Sequence, residues 1–367
     1  MFEFFPGNRA WSFTCLRVLA ESYYGGGEFN ECTRTISRIK SGDIESWYRE
    51  WRVASERIEQ IAQREETSGH PQTARKAYFR ASNYYRVAEF FLPHTDEKKI
   101  PTYRKSVGCF KSAAKLSTGI EIVDVPYGDT TMPGYFFHPT EPVEKPPVLI
   151  FTGGADSTAE EIYFLGAKEA LDRGIACIIV DGPGRGGMLR LKNVKAIPDF
   201  EKPVGAIVDY LAGRGDVDCT RIGLLGLSMG GYYMARAAAY EKRVKACVVL
   251  FGPYNAYTDI YEFYPPLRPQ MWWIVGASSE EEVKRKLGEF TLLGVVDKIE
   301  CPLLVVHGED DFITSPNAAK RIYDEAACEK ELKFYRSGEP GSIHCGYDNH
   351  TEVFSFIHDW IYDKIGR

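Results

Sequence analysis

No stretch of this sequence gathers lysine and arginine into a patch, and the formal net charge is −6. That argues against a nucleic-acid partner, whose phosphates call for a basic face. No apolar run reaches the roughly eighteen residues that a membrane-spanning helix requires. The opening residues, Met1-Phe2-Glu3-Phe4-Phe5-Pro6, lack the basic start and long apolar core of a secretory leader. The 9 cysteines contain no C-x-x-C pair, and their odd number argues against a disulfide framework. Together these features read as reduced thiols in a cytoplasmic protein. No spacing of His, Cys, Asp or Glu matches a metal site. The glycine-rich segment Asp181-Gly182-Pro183-Gly184-Arg185-Gly186-Gly187 lacks the lysine of a phosphate-binding loop. Neither a metal nor a nucleotide or other cofactor is expected.

What the sequence does have is two patterns joined end to end. With 367 residues it has room for two domains. Through residues 8–117, apolar residues recur at three- and four-residue spacing, which predicts helices over 9–24, 28–40, 44–66, 73–91 and 98–116. Ser41-Gly42-Asp43, Ser68-Gly69-His70-Pro71 and Leu92-Pro93-His94 punctuate them. The many aromatics here (Trp47, Tyr48, Trp51, Tyr78, Tyr84, Tyr85, Phe90, Phe91) suit a packed core, with a pocket lining as the alternative. We read 1–117 as a helical cap domain and 118–367 as a second, catalytic domain.

In that second domain Ile120–Val125 and Gly134–His138 alternate as half-buried strands do. A solid apolar run at 147–151 and further strand patterns at 175–180, 222–225, 246–251, 303–307 and 331–335 then alternate with helical patterns, including one helix over 159–173. The rhythm predicts a mostly parallel sheet with helices on both faces and an antiparallel edge. One stretch, about 253–300, breaks the rhythm. It is rich in aromatics, and inserts beyond the C-terminal ends of sheet strands commonly cover sites. We read it as a lid. Tyr254, Tyr257 and Trp272 face either the lid's own core or a substrate.

The chemistry centres on Gly226-Leu227-Ser228-Met229-Gly230-Gly231, between a strand run and an alanine-rich helix run. A strand reversing into a helix around a serine needs small neighbours, and the strained turn exposes the hydroxyl. The Met229 N–H opens the helix, where the dipole favours an oxyanion. The serine needs a base and the base an orienting acid, in the chain order Ser, acid, His. The strand run ending in His307-Gly308-Glu309-Asp310-Asp311 supplies Asp311, with Asp310 as the second choice. His307 reads as a buried strand-end residue. His344 lies in the loop between the last strand and the last helix; His350 and His358 fall on that helix. The paired glycines of Thr152-Gly153-Gly154-Ala155-Asp156-Ser157-Thr158 let backbone approach a ligand, which makes Gly154 the second oxyanion donor. Asp156 is either a proton-handling carboxylate or a helix cap beside the boxes Ser157-x-x-Glu160 and Thr158-x-x-Glu161. Arg185 is a candidate for an anionic or phenolate substrate group, with an ordinary surface arginine as the alternative.

Taken with Phe4-Phe5-Pro6-Gly7-Asn8, Trp47-Tyr48-Arg49-Glu50-Trp51, Asn83-Tyr84-Tyr85 and Val180-Asp181-Gly182-Pro183-Gly184, these residues resemble the α/β-hydrolase branch with an N-terminal helical domain. That branch includes 2,6-dihydroxypseudooxynicotine hydrolase and the fungal yellowish-green-type polyketide-shortening hydrolases. The resemblance implies an α/β-hydrolase fold with the helical segment as cap; a small-molecule substrate and a homodimer are expected. It implies hydrolysis of a carbon–carbon bond beside a carbonyl, with Ser228, Asp311 and His344 as triad and Asp156 assisting. The sequence departs from the branch at Arg185 and Gly187, where relatives more often read G-P-G-Q-G-E. A carboxylesterase, an acyltransferase and a non-catalytic binding protein on the same fold are the alternatives.

Overall fold

Asp43 accepts the N–H of Ser46 through its side chain and so starts a helix that runs to Thr67. Similar local chemistry shapes the rest of the computed structural model, which describes all of Met1–Arg367. The chain divides into two units, Met1–Ile122 with Tyr163–Gly166, and Val123–Ile162 with Ala167–Arg367.

The first unit holds α1 (Arg9–Glu21), α2 (Phe29–Ile36), α3 (Ile44–Thr67), α4 (Pro71–Glu89) and α5 (Lys99–Lys115). Its aromatics form a core. Trp47, Trp51 and Tyr84 are fully buried, and the Trp47 ring meets Trp11 edge-on at 5.0 Å and Phe91 at 4.8 Å. The Trp47 Nε1–H is satisfied by Val87 O at 2.7 Å. A buried polar network crosses this core: Asn83 and Arg86 both donate to Glu21 Oε2 at 2.7 Å. Burying that carboxylate is tolerable because it is paired.

The second unit carries one eight-stranded sheet. Its strands are β1 (Ile120–Tyr127), β2 (Thr130–Phe137), β3 (Val148–Thr152), β4 (Ala176–Val180), β5 (Ile222–Leu227), β6 (Val244–Leu250), β7 (Leu303–Gly308) and β8 (Lys330–Tyr335), in the order β1-β2-β4-β3-β5-β6-β7-β8. The β2–β4 pairing is antiparallel, and every pairing from β4 to β8 is parallel. Strands β3, β4 and β5 are buried along their whole length, the signature of a sheet covered on both faces. This is the α/β-hydrolase fold. Its helices are α6 (Ala159–Ile162), α7 (Lys168–Asp172), α8 (Gly186–Arg190), α9 (Glu201–Ala212), α10 (Met229–Tyr240), α11 (Arg268–Val275), α12 (Glu280–Gly288), α13 (Pro316–Glu325) and α14 (His350–Ile361). None of the chain's helices is long and apolar enough to cross a membrane.

The helix expected over 159–173 is broken. Residues Tyr163–Ala167 form a wide turn, with Gly166 at φ 114°. Tyr163 stacks on Phe79 at 5.1 Å, and Phe164 packs edge-on against Phe79 and Phe110. Packing of these two aromatics within the first unit outweighs the uninterrupted helical ladder that local spacing favours.

Candidate active site

The turn after β5 is tight enough to dictate its own sequence. Ser228 sits at φ 55°, ψ −129°, a conformation side chains other than glycine rarely adopt. Its N–H is held by Leu250 O at 2.8 Å, and its carbonyl accepts Gly231 N–H at 2.7 Å. A Cβ on Gly226 would lie 2.0 Å from Gly230 O, and one on Gly230 would lie 2.6 Å from Gly153 O. Gly230→Ala therefore forces β3, the elbow and α10 apart. A loss of about 1–3 kcal/mol, the usual range for overpacking, is expected in a denaturant melt. An unchanged midpoint would mean that the elbow is looser than these contacts imply. Met229 is the first residue of α10, so its N–H belongs to the opening turn that has no intrahelical carbonyl to bond.

Because β5 to β8 run parallel, their C-terminal ends share one edge, and the loops leaving that edge carry the other groups. Asp311 is buried just beyond β7. Its Oδ1 accepts the N–H groups of Ile313 at 2.8 Å and Thr314 at 3.0 Å, and its Oδ2 meets His344 Nδ1 at 2.8 Å. Burial alone would raise this carboxyl's pKa, but His344 and His307 outweigh it and hold the group well below the usual carboxylate range. For His344, burial works against the imidazolium while Asp311, and then Cys345, favour it; the balance is upward from 6.5. The Phe251 ring joins the parts. It follows the Leu250 carbonyl that holds Ser228, stacks on His307 at 4.7 Å and meets His344 edge-on at 5.8 Å.

The neighbouring Asp310 does a different job. It accepts from Ser337 Oγ at 2.7 Å, Gly338 N at 2.9 Å and Ser342 Oγ at 2.9 Å, which ties down the loop that bears His344. His307, read from sequence only as a buried strand-end residue, is indeed buried, and it also places Nε2 3.1 Å from Asp311 Oδ2. The signal for that contact was its four-residue spacing from Asp311.

The loop after β3 lies against the serine. A Cβ on Gly154 would be 3.1 Å from Ser228 Cβ and 3.3 Å from its Oγ. The Gly154 N–H, expected to point at an oxyanion, is donated to Ser157 Oγ at 3.0 Å. Asp156 is half-buried in the same turn. Opening N–H groups of α6 are taken by Thr158 Oγ1, which receives Glu161 N at 3.4 Å, and by Asp181 Oδ1, which receives Ala159 N at 2.8 Å.

Residues 29–278 match the family model described as Esterase FrsA-like. This chain belongs to the FrsA-like family of α/β-hydrolases. It is 32% identical over 382 residues to the 20-hydroxy-prefusarin hydrolase of Gibberella moniliformis, covering 91% of each chain. It is 30% identical over 374 residues to an alpha/beta hydrolase of Xenoacremonium sinensis, covering 89% of this chain and 86% of that one. The crystal structure of 2,6-dihydroxy-pseudo-oxynicotine hydrolase is similar to it with a TM-score of 0.84 at 25% identity, over 95% of each chain.

In this FrsA-like hydrolase two expected substrate contacts are corrected by the structure. Arg185 is not at the surface. It is buried, donates to Gly153 O at 2.9 Å and Thr152 Oγ1 at 3.2 Å, and lies over the rings of Phe200 and Tyr233. Tyr254 is buried too; its hydroxyl donates to Glu325 Oε2 at 2.6 Å and its ring lies 3.7 Å from the Arg321 guanidinium carbon. Both side chains make contacts that hold the protein together. Tyr257 and Trp272 are half-buried and converge on Tyr261: Tyr257 stacks on its ring at 5.5 Å, and Trp272 Nε1 donates to its hydroxyl at 2.7 Å. These contacts belong to the insertion's own interior. No motif had marked Gln270, yet its Nε2 donates to Ala155 O at 3.0 Å and joins the insertion to the loop beside Ser228.

Proposed function

We propose that this hydrolase uses Ser228 as nucleophile, His344 as base and Asp311 as orienting acid to cleave a carbon–carbon bond beside a ketone in an aromatic, polyketide-like substrate. The observation that carries the catalytic part is the strained serine at φ 55° on the same sheet edge as a buried Asp311–His344 pair at 2.8 Å. The bond is argued from the resemblance in sequence, supported by relatives named 20-hydroxy-prefusarin hydrolase and 2,6-dihydroxy-pseudo-oxynicotine hydrolase.

His344 takes the Ser228 proton as Oγ adds to the ketone carbon. The oxyanion is held by the Met229 N–H, and by the Gly154 N–H once that leaves Ser157 Oγ. Collapse re-forms the carbonyl and breaks the carbon–carbon bond. The departing pair of electrons is delocalised into a second carbonyl or a phenol ring, and the carbon takes the proton held by His344, directly or relayed through Asp156, which leaves His344 neutral again. Water, deprotonated by His344, then releases the acid from Ser228. Nothing in this sequence of steps calls for a metal or organic cofactor. We place the enzyme in the cytoplasm as a homodimer acting on a small molecule. A carboxylesterase or an acyltransferase would use the same triad, and His344 acting directly on water is the mechanistic alternative.

The test is a screen of simple esters against aromatic 1,3-diketones, with intact mass measured after a brief exposure to a fluorophosphonate. Turnover of diketones to a phenol and a short acid, with one phosphonyl adduct at Ser228, is expected. Turnover of esters alone would remove the carbon–carbon reading. Asp156→Ala separates the two bonds further. An ester expels an alkoxide that needs no proton on carbon, so diketone cleavage should fall by about 10²–10⁴-fold, the usual worth of a general acid, while phenyl ester hydrolysis changes little. Equal losses would make Asp156 a structural residue.

A further inference from the structure

We infer that Arg185 is a positioning residue for catalysis, which sets the backbone of the oxyanion loop by gripping it from behind. The inference rests on the serine mechanism above and goes beyond it. The guanidinium donates through Nη1 to Gly153 O at 2.9 Å and through Nη2 to Thr152 Oγ1 at 3.2 Å. Gly153 C=O and Gly154 N–H belong to one peptide plane, which is rigid. Arg185 therefore holds that plane by its oxygen, while Ser157 Oγ holds it by its hydrogen at 3.0 Å. The next atom along, Gly154 Cα, backs directly onto Ser228, where an added Cβ would be 3.1 Å from the serine's own.

The arginine itself is fixed. It is only 4% exposed, and its guanidinium carbon lies 5.1 Å from the Phe200 ring centre and 5.3 Å from that of Tyr233. Those two rings stack on each other at 4.0 Å. Gly182 leaves the space it occupies: a Cβ there would come 3.2 Å from Nη2. A planar fork that satisfies two acceptors at once, seated over aromatic rings, is a task lysine cannot perform, because an ammonium is a point donor on a flexible stem. Arg185 thus links the ends of β3 and β4 and fixes the angle at which the peptide at Gly154 is presented to the oxygen of the carbonyl under attack by Ser228.

The test uses the full chain, p-nitrophenyl acetate as turnover probe and a fluorophosphonate as probe of Ser228. The variants are Arg185→Lys, Arg185→Gln and Thr152→Val, each checked for folding by circular dichroism. A misplacement of about 1 Å in a preorganised site costs about 10²-fold. Arg185→Gln should lose kcat on that scale with KM unchanged, and its phosphonylation rate should fall in parallel, since both steps build charge on the same oxygen. Arg185→Lys should recover little of the loss. Thr152→Val, which deletes one acceptor and keeps the arginine, should show a smaller loss of the same kind; it decides the matter if the arginine variants do not fold. Folded variants with wild-type kcat and phosphonylation rate would overturn the inference. So would a raised KM at constant kcat, which would mean the arginine binds substrate. A wild-type protein that the fluorophosphonate leaves unlabelled would overturn the serine mechanism, and this inference with it.

Discussion

Ser228→Ala is expected to lower kcat by about a million-fold, the scale seen when the nucleophile of a serine triad is removed. The substitution keeps Cβ, so the strained backbone at φ 55° loses no packing and no hydrogen bond made by the main chain to Leu250 or from Gly231. Thermal melting should therefore match the wild type while turnover of p-nitrophenyl acetate and of a diketone both vanish, along with the phosphonate adduct. The pairing of results matters. A loss of only tenfold or so, with folding intact, would favour His344 acting directly on water. Wild-type turnover would remove the covalent mechanism altogether.

Asp311→Asn and Asp310→Asn should differ by orders of magnitude despite being neighbours. Asp311 is buried against His344 Nδ1 and His307, so an amide there presents the wrong tautomeric partner to the base. A fall in kcat of about 10⁴-fold is the precedent for such a change in a serine triad. Asp310 holds Ser337, Gly338 and Ser342, and should cost mainly stability of the loop around His344. The pH profile adds an independent check. His344 works as a base only when neutral, and Asp311 raises its pKa from 6.5 despite burial. Wild-type kcat/KM should thus rise with pH along an acid limb centred above 6.5. In Asp311→Asn the buried ring has lost its anion, so the limb should move down. A limb that stays in place would mean that it reports another group. Reversed effects of the two asparagine variants would place the working acid at Asp310.

The linear sequence carries information of different kinds at different places. The elbow was legible because much of its constraint is local: strand, serine and helix are consecutive, and Gly226 is required by a contact only four residues away, with Gly230. The α/β-hydrolase fold was legible because a buried parallel strand writes a solid apolar run, as in β3 to β5. The break in the expected helix over 159–173 was hidden, since it turns on Tyr163 and Phe164 packing against residues some fifty or more positions away, such as Phe79 and Phe110. Arg185 was offered as a substrate contact or a surface residue, and Tyr254 was left between the insertion's core and a substrate, because a charged or phenolic side chain in a glycine- or aromatic-rich loop carries no mark of burial. Their partners, Gly153 and Glu325, lie 32 and 71 residues away. Likewise Asp310 and Asp311 are chemically the same and adjacent, and only the path of the chain leaving β7 turns one toward His344 and the other toward Ser337. By itself, then, the sequence determined the fold, the elbow and the order of the groups along the sheet edge, because short-range sterics and strand burial leave periodic traces. Which carboxylate meets the histidine, and which arginine holds the loop, were decided by tertiary structure, because a hydrogen bond between distant residues leaves no trace in either one's neighbours.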